Sequence, residues 1–510
     1  MTPVSTVLLL AAIAHPLVRP TEAGPVRGIA QPATKTWAWL GVPYAKPPVG
    51  ALRWRAPERP VGWTSPRDAA HFGSACAQIA TFQGPPSPMG EPVGSEDCLT
   101  LNVWRPATKE KLPTLVFIHG GSNVAGYSGD PLYDGAELAA RARAVVVSVN
   151  YRLGVFGWFA HPSLRTGTDA LTDSGNLTLL DLVAALRFVK ASIAGFGGDP
   201  ENITVMGQSA GAVNTYSLMM SPLAAGLMTR AIVLTGARLS KPSEDREAYA
   251  KKVFHALLER TGAPSTDDPE AQRALLLAQD TATLLKAASG VPSPGWASAD
   301  GAVIPKDAAA AIAARRFANI PLLVGLTRDE GKFFVPDTFR VSESERIAAM
   351  EGFDPDHPPP AGLALTDLIK DPVVFAERSE QMNQWIVGMV DRTLGELGPK
   401  LDRLYVMRFD WAEQVEPWRT ILGASHAMEL PFVFHNFGRN YFSCAFGRAN
   451  RPGREALSRV MIASIAAFIR TSDPNTPALG LRWRPWRPEA PSRLVWNADA
   501  RTVRLSIVAE

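Results

Sequence analysis

Cysteine and histidine are both scarce: three cysteines, Cys76, Cys98 and Cys444, and eight histidines stand in 510 residues. No Cys/His cluster and no His-x-x-x-His pair occurs at ligand spacing, so the sequence calls for no metal and no other cofactor. An excess of either charge is missing as well. Lys and Arg number 52 against 49 Asp and Glu, a net charge of +3, and the basic residues are scattered. That pattern offers no phosphate-binding stripe and argues against a nucleic-acid partner. Long apolar runs are absent too. A bilayer span needs about 20 apolar residues, and no segment reaches that length without a charge. Stable membrane insertion is therefore not expected. Internal repeats and flexible linkers are also missing, which points to one domain over residues 24–510.

What is present is a globular composition, 46% hydrophobic, sufficient for a large core. The N-terminal run VSTVLLLAAIA (Val4–Ala14) precedes a small-x-small pattern at Thr21-Glu22-Ala23. Together they resemble a secretory signal peptide over residues 1–23, cut near Ala23–Gly24, with the mature protein periplasmic or secreted. In an oxidising compartment Cys76 and Cys98 can close a short loop, leaving Cys444 free. The alternative is three unrelated buried thiols. Near-continuous apolar runs predict strands at 114–121, 144–152, 202–211, 230–237, 320–331 and 404–411. Such runs suit strands covered on both faces, as in parallel sheets. Helical patterns at 177–196 and 211–220 lie between them, giving a mostly parallel α/β sheet. Residues 24–113, rich in Pro, Trp and Arg, read as an N-terminal edge sheet, and the Pro-rich stretch 350–362 as a surface loop.

The chemistry centres on GQSAG, residues 207–211. A strand precedes this motif and a helix follows it. Gly207 and Gly211 let the chain turn sharply, lift the Ser209 hydroxyl clear, and aim the Ala210 N–H at the reacting centre. A hydroxyl is a poor nucleophile without a base. After position 330 the histidines are His357, in the Pro-rich loop, His426, in the Gly/Ser-containing turn GASHAMELPFVF, and His435, behind an apolar run. His426 is the candidate base. The acid is expected in GLTRDEG (325–331) at the end of the fifth strand, where spacing leaves Asp329 and Glu330 equally open. IHGGSN (118–123) ends the first strand on glycines whose free N–H groups suit an oxyanion hole.

These motifs occur in an order that identifies a family. The chain resembles the type-B carboxylesterases, the carboxylesterase/lipase family that includes the cholinesterases, over nearly the whole mature length. The resemblance is carried by GVPYAKPPVGALRWRAP (41–57), GSEDCLTLNVW (94–104), NYRLGVFGW (150–158), FGGDPENITVMGQSAGA (196–212), GLTRDEGKFF (325–334), GASHAMELPFVF (423–434) and RTSDPNTP (470–477). It implies the α/β-hydrolase fold: a mostly parallel central sheet, helices on both faces and an N-terminal antiparallel edge. It implies a triad of Ser209, Glu330 and His426, with Glu330 rather than Asp329 as the acid. It also implies oxyanion donors at Gly121, Ser122 and Ala210, a Cys76–Cys98 disulfide, and an Arg53–Glu96 ion pair beneath that loop.

The departures bear on the substrate. Ser122 stands where the family usually has a third glycine, and Gln208 where many members carry Glu. Cholinesterases place a Trp in the cysteine loop to face a quaternary ammonium; residues 77–97 contain none. Neutral acyl or aromatic esters are expected before choline esters, with Trp296, Phe333 and Phe334 lining a gorge or, equally, packing the core. The expected activity is serine ester hydrolysis through an acyl-enzyme, acting on a small-molecule ester. The rivals are a non-catalytic neuroligin-like binding domain and an amidase or peptidase using the same triad.

Overall fold

The computed structural model describes residues 16–293, 295–358 and 364–509. The chain packs as two compact units. The first runs to Asp130 and also takes in Arg143–Thr229 and Leu239–Ala318; the second comprises Pro131–Ala142, Arg230–Arg238 and the chain from Asn319 onward.

In the first unit six strands lie side by side: β1 (Ile29–Gln31), β2 (Thr36–Pro43), β3 (Thr100–Pro106), β4 (Leu112–Ile118), β5 (Val145–Val149) and β6 (Gly198–Gln208). Their spatial order is β6-β4-β5-β3-β2-β1. β6, β4 and β5 run parallel, whereas β3, β2 and β1 are added antiparallel and form the expected N-terminal edge. β4 and β5, LPTLVFI and VVVSV, are buried at every position, which is why they read as unbroken apolar runs rather than alternations. Helix α1 (Leu177–Ser192) is buried on most of its surface. Its one acidic residue, Asp181, is fully buried and held by Arg152 through Nε at 2.8 Å and Nη2 at 2.6 Å. Helix α2 (Ala210–Met220) follows β6 after a single intervening residue, Ser209.

In the second unit β7 (Arg230–Leu234), β8 (Leu322–Thr327), β9 (Leu404–Phe409) and β10 (Ser492–Ala498) run parallel, and β11 (Val503–Ala509) closes this group antiparallel to β10. Its helices include α3 (Pro372–Leu397), α4 (Leu430–Phe434) and α5 (Arg451–Thr471). α3 starts where Asp371 accepts from the Val373 and Val374 N–H groups and Pro372 takes the first helical position, the strong form of an N-cap.

All six strands expected from the apolar runs are present, and each ends before its run does. Glycine or a polar turn residue ends the ladder before the apolar pattern stops: β4 ends at Ile118, ahead of His119-Gly120-Gly121, and β8 at Thr327, ahead of Arg328. The helix expected at 177–196 is α-helical to Ser192 and tightens to a 3-10 turn over Ile193–Phe196. The Pro-rich stretch divides into the end of a helix, Glu343–Gly352, and a turn; its residues 359–362 lie outside the described residues. So does the N-terminal apolar run with residues to His15.

Residues 17–23 belong to the folded body. Val18–Pro20 pair antiparallel with Pro25–Arg27, and the Leu17 carbonyl accepts from Trp39 Nε1 at 2.8 Å. Cys76 and Cys98 are joined in a disulfide, and Cys444 is a buried free thiol. Arg53 grips Glu96 through Nε and Nη2, both at 2.7 Å, and its Nη1 donates to the Gln279 carbonyl at 2.8 Å. The cysteine loop is thus pinned from both sides. Among the described residues no helix is long and apolar enough to cross a membrane, and no group of three or more His, Cys, Asp or Glu is placed to hold a metal ion.

Candidate active site

The first unit builds a nucleophile elbow. The β6–β4 ladder ends with Gly207 opposite Ile118. Two residues later Ser209 has φ 55° and ψ −123°, a strained conformation, and α2 begins immediately. The flanking glycines are required by space. A Cβ at Gly207 would stand 2.1 Å from the Gly211 carbonyl oxygen, and one at Gly211 2.0 Å from that of Ile118. Gly120 is pressed against the nucleophile itself: a Cβ there would lie 2.9 Å from Ser209 Cβ. Ser209 is half-buried, while the residues on either side of it are buried.

The loop after β4 turns through three successive left-handed residues, Gly121, Ser122 and Asn123, with φ of 99°, 54° and 59°. The Gly121 carbonyl is used inside the loop, accepting from Val124 and Ala125. The N–H groups of Gly121, Ser122 and Ala210 have no acceptor among the described residues. Ser122 points its side chain outward and keeps the backbone conformation a third glycine would have.

The second unit holds the acid and the imidazole. Glu330 follows the C-terminal end of β8, the end at which parallel sheets carry their sites. His426 Nδ1 lies 2.6 Å from Glu330 Oε2. The other carboxylate oxygen, Oε1, accepts from the Thr327 N–H at 2.6 Å and from the Thr235 hydroxyl at 2.5 Å. Glu330 is fully buried and His426 is 4% exposed. Asp329, the other acidic candidate, does different work. Its Oδ2 accepts from the Ala424 N–H at 2.8 Å, while its own N–H donates to the Ala424 carbonyl at 2.9 Å. Asp329 therefore clamps the loop that presents His426, and Glu330 reaches the ring. His357 pairs with Asp354 on an exposed turn, and His435 bonds Ser458; neither stands beside this acid.

Phe333 and Phe334 pack their rings 5.7 Å and 4.8 Å from the His426 ring. Trp296 belongs to the first unit, where its carbonyl accepts from Arg246. Sequence reasoning passed over Glu429. It is buried three residues beyond His426, and neither carboxylate oxygen has a hydrogen-bond partner among the described residues. Burial, and then the charge of Glu330, push its carboxyl up to about 8. It was also silent on Thr235, which supports Glu330 from β7's end, and on Asn123 and Asn214. Asn123 and Glu429 lie inside the stretches IHGGSN and GASHAMELPFVF, but spacing there gives neither a role, and Thr235 and Asn214 lie in none of the candidate stretches.

With the elbow and the acid–imidazole pair in view, the relationships of the chain can be stated. The carboxylesterase family model matches residues 15–352. The chain is 33% identical over 489 residues to the para-nitrobenzyl esterase of Bacillus subtilis (strain 168), covering 94% of each. It is 30% identical to a cocaine esterase of Homo sapiens, over 86% of this chain and 80% of that one. Among solved structures, a thermophilic PNB esterase superposes with a TM-score of 0.76 at 30% identity, covering 97% of this chain and 98% of that one. A carboxylesterase of Geobacillus stearothermophilus does so with a TM-score of 0.75 at 32% identity, at the same coverage. The chain belongs to the carboxylesterase family. It is a carboxylic ester hydrolase with the α/β-hydrolase fold, acting on small-molecule esters.

Proposed function

We propose that hydrolysis runs through Ser209, His426 and Glu330. His426 takes the Ser209 proton at Nε2 as the hydroxyl attacks the ester carbonyl. Glu330 holds Nδ1–H, fixing the tautomer, and stabilises the imidazolium that forms. The N–H groups of Gly121, Ser122 and Ala210 receive the developing oxyanion. The alcohol leaves with the proton from His426, and water, activated by the same imidazole, releases the acid. The observation that carries this reading is the 2.6 Å contact of His426 Nδ1 with a carboxylate whose other oxygen is held twice. The test is p-nitrophenyl acetate and butyrate hydrolysis by wild type and by Ser209→Ala. Loss of roughly 10⁴-fold or more in kcat is expected; an inactive but folded wild type would favour the binding-domain rival. Matched ester and anilide substrates separate the esterase from an amidase.

The preferred substrates are neutral acyl or aromatic esters. The Phe333 and Phe334 rings beside His426 support this. A panel of butyryl, benzoyl and choline esters checks it, and a higher kcat/KM for choline esters would refute it.

The protein is exported, and its leader ends ahead of Leu17 rather than near Ala23. Cutting at Ala23 would remove the strand Val18–Pro20 and the acceptor of Trp39 Nε1. Ala12-Ile13-Ala14 offers a second small-x-small pattern at the end of the apolar run. N-terminal sequencing of exported protein is expected to begin near His15; a start at Gly24 would overturn this boundary.

A further inference from the structure

We infer that Asn123 is a positioning residue for the ester-hydrolysing site: its side-chain amide locks the oxyanion loop to the helix that carries the nucleophile. The inference rests on the reading of Gly121, Ser122 and Ala210 as oxyanion donors.

The loop needs a lock. Ser122 and Asn123 both carry side chains at positive φ, following Gly121 at 99°. Such a run persists only where its surroundings over-determine it. Both ends of the Asn123 side-chain amide and its carbonyl are engaged. Its Nδ2 donates to the Gly295 carbonyl at 2.6 Å and to Asn214 Oδ1 at 3.2 Å. Its Oδ1 accepts from Asn214 Nδ2 at 2.8 Å. Its carbonyl accepts from the Gly154 N–H at 2.8 Å. Both asparagines are buried, at 0% and 1% exposure, so water does not compete for these bonds.

The partner's position gives the lock its consequence. Asn214 lies on α2, five residues beyond Ser209 and four beyond Ala210. The reciprocal amide pair therefore ties two of the donors, on the loop, to the third donor and the nucleophile, on the helix. A planar amide paired on both edges resists sliding and rotation, so the spacing among the three N–H groups follows from it. Oxyanion stabilisation depends on that spacing, because donors must meet the oxygen where charge develops. The bond to Gly295 extends the same lock to the segment that precedes Trp296.

A plainer reading is that Asn sits at 123 only because it tolerates a left-handed backbone. Asn123→Gly separates the two, since glycine adopts φ 59° without strain and carries no amide. The assay is steady-state hydrolysis of p-nitrophenyl butyrate by wild type, Asn123→Gly, Asn214→Ala and the double variant. Each protein is checked by circular dichroism and thermal unfolding, and inhibition by an aryl trifluoromethyl ketone is measured in parallel. In both single variants kcat is expected to fall by roughly 10²-fold, the cost of misplacing reacting groups by about 1 Å. KM should stay within about threefold, with ketone affinity falling in step with kcat. The double variant should lie within about threefold of the weaker single, because both remove one lock. Wild-type kcat in Asn123→Gly, a loss carried by KM, or additive losses would each overturn the inference. If Asn123→Gly does not fold, Asn214→Ala and Asn214→Ser decide by the same kcat-against-KM split. A wild type without esterase activity would instead sink the triad reading, whereas an active wild type with an unaffected Asn123→Gly sinks this inference alone.

Discussion

Replacing Glu330 by Gln leaves the shape of the side chain nearly unchanged and puts the account of the acid at risk. The amide has two orientations, and the surroundings penalise both. With its oxygen toward His426 Nδ1, its NH₂ would face the Thr327 N–H, which now donates to Glu330 Oε1 at 2.6 Å. Two buried donors would then confront each other, leaving one unmade bond at about 1–3 kcal/mol. The Thr235 hydroxyl can turn to accept and offsets little of this. With the NH₂ toward Nδ1 instead, that nitrogen becomes an acceptor and the ring proton moves to Nε2. An imidazole protonated there cannot take the serine proton. In either orientation the negative charge that stabilises the imidazolium is gone. The analogous acid-to-amide change, Asp to Asn, in a serine protease triad costs about 10⁴-fold in kcat, which is roughly 5.5 kcal/mol of barrier, and Glu330→Gln is expected to match it. The assay is kcat/KM for p-nitrophenyl butyrate, with unfolding in urea as the control. Asp329→Asn is the companion variant: it loosens the clamp on Ala424 and the pairing of Oδ2 with Arg328 Nη2 at 2.8 Å, leaves the Glu330–His426 contact in place, and should keep kcat/KM within about tenfold while lowering stability by about 1–2 kcal/mol. A Glu330→Gln protein that retains a tenth of wild-type activity would refute the reasoning. So would an Asp329→Asn protein that loses as much as Glu330→Gln.

Further outcomes follow from the same structure. Glu429 is a carboxyl whose folded value, about 8, lies above its unfolded one. The folded state therefore binds its proton more tightly, and stability falls as pH rises from about 4.5 to about 8, by a few kcal/mol in total. Glu429→Gln should flatten that slope in urea unfolding at pH 5, 6, 7 and 8; an unchanged slope would contradict the burial argument. Asp181→Ala strands the Arg152 guanidinium in the core and is expected to cost about 3–5 kcal/mol, read as a lower urea midpoint at constant m-value. Cys98→Ser opens a loop with a sequence separation of 22 and should cost roughly 3 kcal/mol relative to the oxidised protein. A reduced wild type as stable as the oxidised one would argue otherwise. Gly211→Ala places a methyl group 2.0 Å from the Ile118 carbonyl oxygen, so α2 or β4 must shift and activity should drop by at least about 10²-fold.

The architecture was legible because parallel strands covered on both faces must be apolar along their length, as VVVSV and LPTLVFI are. The turn at Ser209 was legible because two glycines at fixed offsets are what a chain needs where a Cβ meets a carbonyl at about 2 Å. Spacing did not separate Asp329 from Glu330, since adjacent residues differ only in where the chain points them. The family pattern favoured Glu330, and in the structure it is Glu330 that reaches His426. The asparagine pair was out of reach for a different reason. Asn123 and Asn214 are 91 residues apart, and a contact between a loop and a helix leaves no periodic trace. Thr21 shows how one local pattern serves two readings. Small residues suited a cleavage motif, yet Thr21 Oγ1 donates to the Gly24 carbonyl at 2.6 Å and closes the turn of a hairpin.

The central claim is that ester hydrolysis passes through a covalent bond to Ser209. The most direct measurement mixes the protein with p-nitrophenyl butyrate, quenches it with acid before turnover is complete, and maps the modified peptide by mass spectrometry. The account predicts a butyryl group on the peptide carrying Gly207–Gly211, absent in Ser209→Ala and in His426→Ala. Acylation at another residue, or undiminished hydrolysis by Ser209→Ala, would contradict it.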